Sequence, residues 1–255
     1  METMILVILA GLVWGSFLNV VIYRLPEGMS LVRPPSACPA CKKRIKPYDN
    51  VPVLSYLVLR GKCRHCGNRI PVSYVLVEIL TPAAFAILHL HYALSLFFFA
   101  SCLFASALLV LGFIDYRHKI LPDRITYPGI ALGLVYAFFR SDLTFLQALL
   151  GAAVGAGFLL LIYAGYYLVR KKEGLGLGDV TMMLMVGAYL GWLKTLLTLV
   201  LASFAGALVG IIIITVKKKD LQYMLPYGTF LAPAAFIALV WGDRIIRAYL
   251  SLFSR

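Results

Sequence analysis

Apolar runs close to the thickness of a bilayer recur along this chain, at residues 3–23, 74–92, 94–114, 125–139, 144–169, 180–193, 195–216 and 229–250. A helix needs about 20 apolar residues to cross the hydrocarbon, and a chain in lipid must satisfy its own backbone hydrogen bonds. The runs therefore predict an all-α polytopic membrane protein with about eight transmembrane helices, the fourth and sixth of them short. Composition agrees, since 62% of the 255 residues are hydrophobic and only 14% are charged. The first run has no basic segment before it and no small-residue cleavage site after it. It reads as a retained anchor over 1–23.

The formal net charge of +13 raises the question of nucleic acid, and its distribution answers it. With the N-terminus outside, the odd-numbered connections face the cytoplasm and hold 19 of the 24 lysines and arginines. These include Arg24 to Arg69 in the first connection, then Arg117, Lys119 and Arg124, then Arg170, Lys171 and Lys172, then Lys217, Lys218 and Lys219. Insertion bias accounts for this asymmetry, with anionic membrane lipid as the counter-surface. No basic groove interleaved with aromatics is present, so nucleic acid is not an expected partner.

One polar stretch, 24–73, interrupts the apolar text. It is rich in proline and basic residues and too short to rely on a hydrophobic core alone, so a metal or disulfides should hold it. Cys38-Pro-Ala-Cys41 and Cys63-Arg-His-Cys66 are two C-x-x-C pairs, spaced to present four thiolates to a structural Zn²⁺. Disulfides or a redox pair are the alternatives. The first is disfavoured on the cytoplasmic side, and the second lacks its βαβ context. Cys102 falls inside an apolar run and reads as a packing residue.

Asp115 closes the third run, and Asp179 opens the sixth after Gly174-Leu-Gly176-Leu-Gly178. Charge-based topology uses neither residue, yet it brings both carboxyls to the cytoplasmic face. Ionisable groups at such depths usually have a function. Two carboxyls in reach of one another share a proton, so one can polarise water while the other donates to a carbonyl. Considering each aspartate's own helix, the dipole disfavours the anion at Asp115 and favours it at Asp179, which assigns the shared proton to Asp115. Gly176 and Gly178 would let backbone approach a substrate. Asp123, after Pro122, reads as a helix cap.

Together these motifs carry a resemblance. Gly15-Ser-Phe-Leu-Asn-Val-Val-Ile-Tyr-Arg-Leu-Pro26, both cysteine pairs, Asn50-Val-Pro-Val-Leu-Ser-Tyr56, Asp115 with Leu121-Pro-Asp123, and Gly176-Leu-Gly-Asp179 resemble the bacterial type IV prepilin peptidases. These are bifunctional leader peptidases and N-methyltransferases. The resemblance implies a catalytic pair at Asp115 and Asp179 and zinc on Cys38, Cys41, Cys63 and Cys66. It implies that 74–255 forms a seven-helix aspartic peptidase domain. Its implied substrate is a prepilin or pseudopilin, cut at the cytoplasmic face of the inner membrane and then methylated from S-adenosylmethionine. The 24–73 module is tied to that second activity, with Asn19, Arg24 and Glu78 as candidate residues chosen for polarity at the same face. Two other classes compete. A proton-coupled transporter would place its acids near mid-membrane, and a pilus assembly scaffold would use the module without catalysis.

Overall fold

Each apolar run becomes a helix, and the helices begin and end where local chemistry allows. The computed structural model describes residues 2–171, 176–217 and 225–252. Lys172, Gly174, Lys218 and Lys219, used above for topology and motif, lie outside the described residues. In chain order the helices are α1 (Glu2–Arg24), α2 (Leu54–Val58), α3 (Val72–Tyr92), α4 (Leu96–His118), α5 (Asp123–Ala137), α6 (Phe145–Arg170), α7 (Leu177–Leu190), α8 (Trp192–Lys217) and α9 (Gly228–Ser251). Among the described residues, β pairing is confined to two isolated bridges.

Among the described residues, six helices are long and apolar enough to cross a membrane: α1, α3, α4, α6, α8 and α9. The other two apolar helices, α5 and α7, have 15 and 14 residues. At 1.5 Å per residue they cover about 22 Å, less than the roughly 30 Å of hydrocarbon. Six helices of spanning length thus stand where about eight crossings are expected. Asp123 is the first helical residue of α5 and not its cap; Pro122 precedes it, pre-set in extended backbone. The start of α6 is a capping box. Thr144 Oγ1 accepts from the Gln147 amide, and Gln147 Oε1 accepts from the Thr144 amide.

The chain divides into two compact units, 1–110 and 111–255. In the first, α1 and α3 run antiparallel. Thr3 meets His89, Gly11 lies against Pro82, Gly15 against Glu78 and Thr81, and Asn19 bonds Tyr74. A side chain on Gly11 would collide with the Pro82 backbone, so the two helices come this close only with hydrogen there.

In the second unit α7 is the central element, with ten of its 14 residues buried, among them Met182, Met183 and Met185. Its neighbours reach it through small residues. On α6, Gly151 and Gly155 face Gly187 and Met183, so α6 runs antiparallel to α7. On α5, Gly129 and Gly133 face Met185 and Ala188, so α5 runs parallel to it. Lipid tails are as apolar as leucine, and association inside a bilayer depends on close approach of this kind.

Candidate active site

Three helix ends in the second unit converge. The last turn of α4 carries Asp115, the first turn of α7 carries Asp179, and α9 begins with Gly228 and Thr229. Both carboxyls are withdrawn from solvent, Asp115 at 4% exposure and Asp179 at 7%. Asp115 Oδ2 accepts twice from one residue, from the Thr229 amide at 2.8 Å and from its hydroxyl at 3.1 Å. The amide of Gly228 faces both carboxyls, and the charge on Asp115 is felt at Asp179. A side chain at Gly228 would press on Asp115, since its Cβ would lie 3.1 Å from Cγ.

Asp179 is held differently. The Gly176 amide faces its carboxyl, yet Oδ1 is buried with no hydrogen-bond partner among the described residues. Nearby, Tyr227 lies within electrostatic reach of Asp179 and shares a hydrogen bond of 3.0 Å with Ser203. The bare face of Gly178 is covered by Leu121, where an added Cβ would come to 2.9 Å. Gly178 thus serves the packing of the 119–122 segment. Gly176 is open except for Asp179 itself.

The hydrogen bonds favour the opposite proton assignment from the one expected. Helix dipoles were weighed only along each aspartate's own helix, but Asp115 also faces the N-terminus of α9. Its amides supply the stabilisation that the end of α4 withholds. Sequence reasoning missed Gly228 and Thr229 altogether. The available signal was Pro226-Tyr-Gly-Thr229 opening the last apolar run, a bulk-free and hydroxyl-bearing helix start.

In the first unit the four cysteines converge as two matching turns. Ala37 bridges Arg44 around the first pair and Lys62 bridges Arg69 around the second. Each turn closes with an amide bonded back to its first cysteine, Lys42 to the Cys38 carbonyl and Gly67 to the Cys63 carbonyl, with φ of 59° and 68°. All four thiols are free, and their sulfurs lie within 4.8 Å of one another. Tetrahedral zinc with Zn–S bonds of about 2.3 Å sets its sulfurs about 3.8 Å apart. Cys38 Sγ and Cys66 Sγ are 3.8 Å apart. The amides of Cys66 and His65 hold the Cys63 thiol down at about 7, which favours the thiolate a metal needs. The donor set is compatible with zinc.

The three candidate methyltransferase residues divide. Asn19 and Glu78 come together, Asn19 donating to the Tyr74 carbonyl at 2.9 Å and reaching the Glu78 carboxylate. Glu78 Oε2 accepts from the Val53 amide at 2.8 Å. Arg24 is buried and turned elsewhere, donating to the Ser30 and Pro34 carbonyls at 2.9 and 2.7 Å and closing the chain after α1. A groove of about 610 Å³ lies beside them, and its lining, including Leu9, Val13, Val53, Leu54, Ile79 and Pro82, is wholly apolar. The charged ends of S-adenosylmethionine have no partner in that lining.

Two buried carboxyls at the helix ends of an all-α membrane protein, in a chain that also carries a four-thiol module, accompany the class that the comparisons show, a membrane aspartic peptidase. The chain belongs to the type IV leader peptidase family. The family's own model, described as "Type IV leader peptidase family", matches residues 102–211, and that of the "Bacterial Peptidase A24 N-terminal domain" matches 9–92. Among relatives, the prepilin leader peptidase/N-methyltransferase of Pseudomonas putida is 38% identical, over 95% of this chain and 92% of that protein. The protein of the same description in Pseudomonas aeruginosa is 37% identical over the same shares. Its counterpart in Myxococcus xanthus is 43% identical over 80% of this chain and 61% of that protein. No solved structure matches the chain.

Proposed function

We propose that this chain removes the basic leader from type IV prepilins or pseudopilins by aspartate-activated water and then methylates the new N-terminus. The observation that carries the reading is the pairing of two buried carboxyls of unequal surroundings, Asp115 anchored by Thr229 and Asp179 with one oxygen unpartnered among the described residues. Asp115, stabilised as the anion, takes a proton from water as the oxygen attacks the scissile carbonyl. Asp179, protonated, donates to the carbonyl oxygen. The tetrahedral intermediate then collapses as the proton on Asp115 passes to the leaving amine, breaking the C–N bond. Neither a covalent intermediate nor a metal is needed in these steps. Both acids lie in terminal turns and not mid-helix, which suits an interfacial peptide bond better than a transmembrane proton relay.

Charge asymmetry supports an active site on the cytoplasmic face of a bacterial inner membrane with the N-terminus outside. An apolar substrate helix stays in the bilayer there while its leader reaches the pair. Zinc held by Cys38, Cys41, Cys63 and Cys66 would close its coordination sphere with protein ligands and so act structurally. S-adenosylmethionine is the methyl donor that the resemblance to prepilin peptidases implies. The polar atoms of Asn19, Arg24 and Glu78 are engaged within the protein, and no methyl-transfer step is assigned to them.

The test is cleavage of a prepilin by the purified chain, by Asp115→Ala and by Asp179→Ala. Either substitution should slow cleavage by several orders of magnitude while leaving the folded state intact. Normal processing by either variant would overturn the reading. Mass spectrometry of the product, with methyl donor present, should find the mass of one added methylene; an unaltered mass removes the second activity alone.

A further inference from the structure

We infer that Thr229 is a positioning residue for cleavage, locking one oxygen of Asp115 and keeping that carboxyl ionised and aimed at the attacking water. The inference rests on the reading of Asp115 and Asp179 as the catalytic pair. Both donors of Thr229 end on the same atom, Asp115 Oδ2, through the amide at 2.8 Å and the hydroxyl at 3.1 Å. The Gly112 carbonyl, one turn earlier on α4, lies 3.3 Å from the same hydroxyl and competes for its single proton, with the shorter contact going to the carboxylate. With Oδ2 occupied twice, Oδ1 is the oxygen left for water. The preceding residue is glycine because Asp115 fills the space of a side chain there. The start of α9 is thus shaped around this carboxyl.

A carboxyl so held has its torsion fixed, and a catalytic group fixed before the substrate arrives does not have to be ordered during reaction. Among the described residues, the charged or titratable groups facing Asp115 are Asp179 from α7 and Lys119 just past α4, and Tyr227 just before α9 lies within reach of Asp179.

Thr229→Val deletes the hydroxyl at nearly constant volume and keeps the amide. Hydrogen bonds to charged groups are strong enough that kcat should fall by about 10- to 100-fold, with KM little changed. The acid limb of the pH–rate profile should move to higher pH, because the anion loses a donor. Thr229→Ser restores the hydroxyl and should recover most of the rate. If valine packs poorly and melting in detergent shows it, Thr229→Ala makes the same deletion with less bulk and is read in the same way. A wild-type kcat and pH profile for the folded hydroxyl-less variant would overturn the inference, as would equal slowing by Val and Ser. Inactive Asp115→Ala and Asp179→Ala beside an unimpaired Thr229→Val would defeat the positioning role alone. Active aspartate variants would defeat the catalytic pair beneath it.

Discussion

Gly151 on α6 and Gly187 on α7 face one another so closely that a Cβ on either would strike the backbone of the other. This contact seats α7, and through it Asp179 eight residues earlier in that helix.

Gly187→Ala should therefore destabilise the protein by about 1–3 kcal/mol, since backbone on both sides leaves little freedom to yield. Gly165 on the same α6 has nothing within 4 Å of its missing side chain. Gly165→Ala should leave the melting temperature where it was or lift it, because glycine costs a helix about 0.5–1 kcal/mol relative to alanine. Thermal melts of both variants in one detergent check the opposite signs.

Metal analysis of the purified chain should find one zinc, retained by Cys102→Ser and lost on Cys38→Ser or Cys63→Ser. Cys102 is buried far from any other thiol cluster in sequence and belongs to α4, whereas the other four sulfurs lie together. Loss of metal should expose the 24–73 segment to protease, because binding supplies much of the folding free energy of so small a module.

Arg140 is buried between Tyr136 and Tyr189, bonds the Tyr189 carbonyl at 2.7 Å and forks onto Asp142. Arg140→Met should cost about 1–3 kcal/mol by leaving that carbonyl unpaired. The guanidinium's hydrogen bond holds the Asp142 carboxyl below its ordinary value. A depressed carboxylate adds stability above its unfolded pKa of about 3.9 and loses it as pH falls through the lower folded value. Asp142→Asn should thus show its deficit at pH 7, and the gap should close in strong acid. Asp142 is 55% exposed, so that deficit should stay below about 1 kcal/mol. Melts across pH resolve both effects.

The helices were legible because runs such as 145–170 are apolar over a bilayer's width. The thiol cluster was legible because its ligands come in local pairs. Asp115 and Asp179 stood out because carboxylates are costly where they sit. Thr229 did not, since a threonine at the head of an apolar run is unremarkable until folding brings it to a partner 114 residues away. Arg24 shows the same limit from another side. A charge at a helix end looks available for chemistry, and only the turn at 25–34 shows that backbone carbonyls have claimed it. The glycines of α5 and α6 were visible as letters, but not as contacts, before it was known which helix faced which.

Because α7 is wedged between α5 and α6 with no slack at its glycines, Asp179 rides on a helix seated by interlocked backbone. A peptide must be drawn out straight before water can reach its bond, and something has to give way to admit it. The interlocked glycines leave that adjustment to parts of the second unit other than the seat of α7. The site so built holds one carboxyl on interlocked backbone and the other on two hydrogen bonds from a single threonine.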